Sequence, residues 1–305
     1  MISAPRGCVT LRSRRLYEKG TTMPIHVCVA GATGWTGSLV TRHILASDEF
    51  KLAGAIARRQ AGQDIGEVLG LPPAGVRISS DLDAALRAGA NSMPEVVPDV
   101  VPDVVPDVLI DYTGPTSVKE RTPAALEHGV RVVIGTSGLA AADYEEIAEY
   151  AEARGLGVIA AGNFSITAAL AKHFALLAAQ FLPSWEIIDY ASAGKPDAPS
   201  GTTRELAEAL GEVAQNKLAV AIADTHGAKD ARGATIGGTQ VHSLRLPSYT
   251  ISFETIFGLP DERLTIRHDS GSSAEPYVGG TLLAARRVMQ VTGLVRGLDT
   301  LLFGG

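Results

Sequence analysis

The chain has 305 residues, 46% of them hydrophobic, with 33 glycines and a formal net charge of −6. That length and apolar content support one large or two medium domains, and the acidic balance argues against nucleic acid or an anionic membrane as the main partner. Cys8 and Cys28 are the only cysteines, too few for a disulfide framework and without metal-ligand spacing, so a reducing cytoplasm and no metal are expected, and no apolar run approaches a membrane span.

Residues 1–22 set Arg6, Arg12, Arg14, Arg15 and Lys19 against a single acid, Glu18. They lack the apolar middle of a secretory signal. They read as a disordered basic extension or as sequence upstream of a start at Met23, with a transit peptide as a third reading; the second is favoured, because Met23-Pro24 leads straight into the first strand.

Six short apolar segments follow, at residues 25–30, 51–57, 76–79, 108–112, 130–134 and 157–161. Helical patterns at 38–46, 82–88, 118–128 and 144–153 separate them. Alternation of this kind predicts a Rossmann-like, doubly wound parallel sheet. The run from Val96 to Asp107 repeats Val-Val-Pro-Asp three times. A proline at every fourth position excludes a helix or a central strand, so an extended surface spacer is expected.

After Asn163 the pattern changes. An alanine-rich helix is expected over 166–182, a strand over 185–190 and a helix over 203–210. Long strands at 239–246, 249–258 and 263–268 are joined by short turns, which predicts a second α+β domain with a mixed or antiparallel sheet. A helix over 274–291 closes the chain.

Two stretches carry chemistry. Gly31-Ala32-Thr33-Gly34-Trp35-Thr36-Gly37 stands between a strand and a helix, where glycines let the backbone approach a pyrophosphate at the helix N-terminus. An NAD site would place an acid near the end of the second strand. Arg58 and Arg59 stand there instead, and a guanidinium can pair bidentately with a 2′-phosphate, so NADPH is expected over NADH, with NADH still possible. The second stretch is Lys195-Pro196-Asp197-Ala198-Pro199-Ser200-Gly201-Thr202, a loop that runs into a helix N-terminus. Taken alone it is either an ordinary capped helix or an anion site with a lysine beside it.

Residues 23–305 resemble the 4-hydroxy-tetrahydrodipicolinate reductase family, hydride-transfer enzymes of the diaminopimelate route to lysine. The resemblance is carried in order by the Gly31 loop, Asp111-Tyr112-Thr113, Gly135-Thr136-Ser137-Gly138, Asn163-Phe164-Ser165-Ile166, Lys195 through Thr202, and Leu264 through Ser270. It implies that Gly135, Thr136, Ser137, Gly162, Asn163 and Phe164 line the nicotinamide. It also implies that Ser200, Gly201 and Thr202 hold a carboxylate of a cyclic imino acid, with Lys195 nearby. A homotetramer assembled through the second sheet is implied as well. The terminal segment 274–305 would return to the cofactor domain (23–162), leaving 163–273 for substrate and assembly.

One departure stands out. The family's strand before the lysine carries a His-His pair, whose first member is proposed to protonate the substrate; those positions here are Ala191 and Ser192. A further family histidine appears as Ser252 or Phe253, and His242 and His268 are read as structural. Lys195 then remains as proton donor or electrostatic stabiliser, with Tyr190, Asp197 or a water as weaker candidates. The alternative reading is a diverged imine reductase or amine dehydrogenase for a less polar substrate. A cofactor-binding redox sensor without turnover is disfavoured by the intact substrate loop and by the lack of a Tyr-x-x-x-Lys pair.

Overall fold

The computed structural model describes residues 23–87, 104–136 and 138–304. The basic extension, most of the Val-Val-Pro-Asp repeat and Ser137 lie outside them. Its first sheet is built from β1 (Ile25–Ala30), β2 (Phe50–Ile56), β3 (Ile78–Ser79), β4 (Val108–Asp111), β5 (Arg131–Ile134) and β6 (Gly157–Ala160). The intervening helices are α1 (Trp35–Leu45), a single turn α2 (Ile65–Val68), α3 (Leu82–Leu86), α4 (Pro115–Glu127) and α5 (Ala141–Ala153). Alternate residues of β1 feed opposite faces: Val27 and Val29 enter one core, Cys28 and Ala30 the other. That two-sided burial is why the strands read as continuous apolar runs.

The chain then builds α6 (Ile166–Ala179), β7 (Trp185–Ala191), α7 (Gly201–Val213), β8 (Ala234–Ile236), β9 (Thr239–Arg245), β10 (Ile251–Leu259) and β11 (Glu262–Asp269). These strands form a mixed sheet in the order β11-β10-β7-β9-β8, in which β7 and β9 are parallel. Trp185, Ile187, Val241, Phe253 and Phe257 face Ala171 and Ala175 of α6 and Leu206, Ala207 and Leu210 of α7. Small alanines on α6 let the helix lie close to the aromatic face of the sheet.

The C-terminal segment differs from expectation. The helix predicted over 274–291 ends earlier, as α8 (Glu275–Arg287), and gives way to a 3₁₀ turn at Val288–Gln290. Gly293–Arg296 then forms β12, parallel to β6 at the edge of the first sheet, and Leu298–Phe303 forms α9. Four residues, only Leu294 and Val295 of them half-buried, carry too little periodicity to announce an edge strand; pairing with β6 creates it. The completed order is β12-β6-β5-β4-β1-β2-β3, all parallel, and it reverses between β1 and β4. In such sheets ligands bind in the crevice beyond the strand C-termini at that reversal.

Candidate active site

The glycine loop follows β1 into that crevice. Gly31 has φ +81°, and a Cβ there would lie 2.7 Å from Tyr112 O. A Cβ on Gly37 would lie 2.1 Å from Gly31 O, so the first turn of α1 rests directly on the loop. Gly31 N and Ala32 N donate to Ile56 O, and Gly34 N donates to Gly31 O. The N–H groups of Trp35, Thr36 and Gly37 open the helix with no side-chain cap. Free N–H groups at the positive end of a helix suit a pyrophosphate. Arg58 and Arg59 are exposed just beyond β2, and neither guanidinium has a hydrogen-bond partner among the described residues.

Tyr112, after β4, forms the floor. Thr281 Oγ1 donates to Tyr277 O at 2.7 Å, so the 2.5 Å contact between Tyr112 and Thr281 is donated by the phenol. The Tyr112 ring lies where any side chain at position 135 would go, 2.1 Å from a Cβ built on Gly135. It meets Phe164 edge-on at 6.3 Å. Asp111 accepts from Thr113 N and Oγ1 and faces Arg121 at 3.8 Å. Burial raises its pKa above the ordinary carboxylate range despite those donors.

The Lys195 loop closes the opposite wall. Trp35, Gly135, Asn163, Lys195, Gly201 and Thr202 line one cleft. Lys195 Nζ pairs with Asp197 Oδ1 at 2.6 Å. Asn163 Nδ2 donates to Thr202 Oγ1 at 3.2 Å, tying the loop after β6 to the first turn of α7. The structure therefore brings Gly135, Gly162, Asn163 and Phe164 together with Lys195, Ser200, Gly201 and Thr202, while Thr136 is buried and donates to Asp111 O at 3.3 Å.

It also narrows the expectation for Ser200. Ser200 N and Oγ both donate to Asp189, at 3.0 and 2.6 Å, and its oxygen accepts from Thr203 N. A serine committed in this way has no proton left for a carboxylate, so it shapes the turn instead. The N–H groups of Gly201 and Thr202 at the start of α7 remain as the donors.

Asp189 and Arg245 were not anticipated. Asp189 is fully buried and also accepts from Thr203 Oγ1, Ser243 Oγ and Arg245 Nη2, at 2.9, 3.2 and 2.8 Å. Burial would raise its pKa, but these hydrogen bonds prevail and hold it below the ordinary range. Arg245 also donates to Asp197 O at 2.6 Å. No local sequence motif marks this pair, because its members meet only through the parallel pairing of β7 with β9.

Other residues singled out from the sequence fall elsewhere. Tyr190 lies on the outer face of the second sheet and donates to Glu254 at 2.9 Å, so it cannot protonate a ligand in the cleft. Burial and Glu254 push its pKa up to about 12. Phe253 is core, stacked on His268 at 5.6 Å, and does not line the cleft; Ile251 does. His268 Nε2 faces Thr167 Oγ1 at 3.1 Å, and burial lowers its pKa. His242 pairs with Glu186 at 2.7 Å on the outer face. Ala191 is fully enclosed. Tyr277, not singled out beforehand, lines the cleft with a buried hydroxyl that faces Ser270 and makes no close hydrogen bond among the described residues.

Two family models together match residues 25–302: "Dihydrodipicolinate reductase, N-terminus" over residues 25–164 and "Dihydrodipicolinate reductase, C-terminus" over 164–302. The chain is 40% identical over 278 residues to a 4-hydroxy-tetrahydrodipicolinate reductase of Moorella thermoacetica, covering 91% of this chain and 98% of the relative. It is 38% identical to the enzyme of the same name from Synechococcus elongatus, covering 92% and 99%. A dipicolinate-bound dihydrodipicolinate reductase from Paenisporosarcina superposes with a TM-score of 0.71 at 30% identity, covering 92% of this chain and all of that one. An amine dehydrogenase from Mycobacterium smegmatis shares the fold, with a TM-score of 0.60 at 18% identity over 90% of this chain and 95% of that one.

Proposed function

Because the chain belongs to the dihydrodipicolinate reductase family, we propose that it reduces 4-hydroxy-tetrahydrodipicolinate, a cyclic imino dicarboxylate, with a nicotinamide hydride. The observation that carries this reading is the 3.2 Å hydrogen bond from Asn163 to Thr202, which sets an anion-binding helix N-terminus against the cleft at the sheet reversal. The relatives' shared name favours this substrate over the less polar amine of the alternative reading.

The close packing of Gly31 against Gly37 sets the uncapped N–H groups at the start of α1 beside the glycine loop, a donor set that fits the pyrophosphate of a dinucleotide, and Gly31 through Gly37 would hold it. When bound, the nicotinamide supplies the hydride. Arg58 and Arg59, exposed and without a hydrogen-bond partner among the described residues, support NADPH over NADH through a 2′-phosphate. Gly201 and Thr202 N–H groups orient the carboxylate. Lys195, charged and at the edge of the cleft, supplies positive potential and a proton where charge develops on the substrate. Asp197 holds that ammonium in place at 2.6 Å. With Ala191 enclosed and Tyr190 turned away, Lys195 is the donor this reading requires.

Residues 23–162 with 274–305 form the cofactor unit in this reading, and 163–273 the substrate unit. A homotetramer would use the outer face of the second sheet, where Ile188, Leu244 and Ile256 are only half buried. No helix among the described residues is long and apolar enough to cross a membrane, and a cytoplasmic place in lysine synthesis is proposed from the family. The test is NADPH oxidation with enzymatically generated 4-hydroxy-tetrahydrodipicolinate. Turnover that Lys195→Met lowers by about 10²–10⁴ supports the assignment. An inert wild-type protein would reject it.

A further inference from the structure

Behind the cleft lies a set of charges that the chemistry above does not use. Lys172 of α6 pairs with Glu205 Oε1 of α7 at 2.6 Å and with Asp299 Oδ1 of α9 at 2.9 Å. All three side chains are largely buried, with 14%, 23% and 10% exposure respectively. Burial works against the Lys172 charge, and the two carboxylates outweigh it, leaving the pKa above the ordinary lysine value. Buried charges at this cost need a partner for each lone pair.

The second oxygen of Glu205 shows where the cluster acts. Glu205 Oε2 accepts the backbone N–H of Gly162 at 3.0 Å, while Thr202 Oγ1 approaches Gly162 O at 3.4 Å. Two side chains of α7 therefore grip the N–H and the C=O of one residue, on the loop that leads to Asn163 and Phe164. A Cβ at Gly162 would lie 2.9 Å from Glu205 Oε2, and one at Gly297 would lie 2.5 Å from Asp299 Oδ1. Glycine at both positions leaves room for the carboxylates to come this close. The cluster joins the two helices of the second sheet to the C-terminal turn, whose preceding strand, β12, belongs to the first.

We propose that Lys172, Glu205 and Asp299 are positioning residues that lock the carboxylate-binding turn Gly201–Thr202 to the loop Gly162–Asn163, fixing the separation between the substrate and the hydride donor. The identity of those two ligands rests on the reading above; the lock itself rests on the contacts. A misplacement of about 1 Å between reacting groups costs on the order of 100-fold in rate. A tether of this kind should therefore act on kcat more than on binding.

Two variants test it. In Glu205→Asp the shorter side chain cannot reach Lys172 and Gly162 together. In Glu205→Gln the amide can offer its oxygen to only one of them. Amide hydrogen exchange at Gly162 is measured on the full chain without ligand, beside Tm, kcat and the KM of the imino acid. The expected result is Gly162 exchange at least about tenfold faster in both variants, with kcat down about 10–100-fold and KM moved less than about threefold. Unchanged Gly162 exchange, or kcat within about twofold of wild type, would overturn the lock. Faster exchange in a protein whose wild type is inert on the imino acid would support the lock and remove the substrate assignment.

Discussion

Asp189 Oδ2 and Arg245 Nη2 lie 2.8 Å apart across the pairing of β7 and β9, and each also reaches the loop that runs from Lys195 to Thr202. Asp189 takes both donors of Ser200, and Arg245 takes the carbonyl of Asp197. The loop between Lys195 and Thr202 is thus held from below by one buried ion pair. Its helix N-terminus is aimed before any ligand arrives, so binding need not order it.

Asp189→Asn should lose about 3–5 kcal/mol in denaturant unfolding, the range for breaking a buried pair from one side. The loss carries a pH signature. A carboxylate held below its ordinary pKa contributes stability that is present above about pH 4 and fades as pH falls through the depressed value. The wild type should therefore lose its advantage over Asp189→Asn in the acid limb, and parallel Tm curves down to that limb would refute the assignment.

Asp111 should behave with the opposite sign. Burial raises its pKa, so the folded state holds that proton more tightly than the unfolded chain does. Stability from this group is present at low pH and is lost as pH rises from about 4 through the raised value. Asp111→Asn keeps the oxygen that accepts from Thr113 and removes the buried charge, and its Tm should gain on wild type as pH rises from about 4 to 7. A constant Tm difference over that interval would contradict the prediction.

Gly37→Ala places a methyl 2.1 Å from Gly31 O, backbone against backbone, with no flexible side chain to yield. The glycine loop must move off α1, at a cost of about 1–3 kcal/mol in stability. Cofactor affinity should fall by at least about tenfold, because the pyrophosphate donors lose their common direction. Fluorescence titration with NADPH measures the second effect separately from the first.

Arg58→Ala and Arg59→Ala bear on cofactor choice. Loss of a charged hydrogen bond to a 2′-phosphate should raise the KM for NADPH by about 10–100-fold in at least one of them. The KM for NADH should stay within about twofold. Equal changes for both cofactors would mean that the arginines act on something common to the two.

Local pattern was a reliable guide to the first sheet. The strands are short, buried on both faces and separated by helices, so each announces itself over a few residues. The glycine loop was equally legible, because its requirement is steric and lies within seven residues. The second sheet was legible in kind, while β12 was not, since four residues at a sheet edge take their conformation from the neighbouring strand.

The sequence by itself determined which groups are available: a glycine loop ahead of a helix, a second helix N-terminus at Gly201 and Thr202, Lys195 on the loop before it, and Ala191 and Ser192 at the end of the preceding strand. Tertiary structure decided how they are spent. It committed Ser200 to Asp189, put Phe253 in the core, turned Tyr190 outward and gathered Lys172, Glu205 and Asp299 behind Gly162. Those outcomes depend on contacts between residues as much as 127 positions apart in the chain, Lys172 and Asp299. Composition and spacing determine local conformation; only the packing of whole elements brings distant charges within hydrogen-bonding reach.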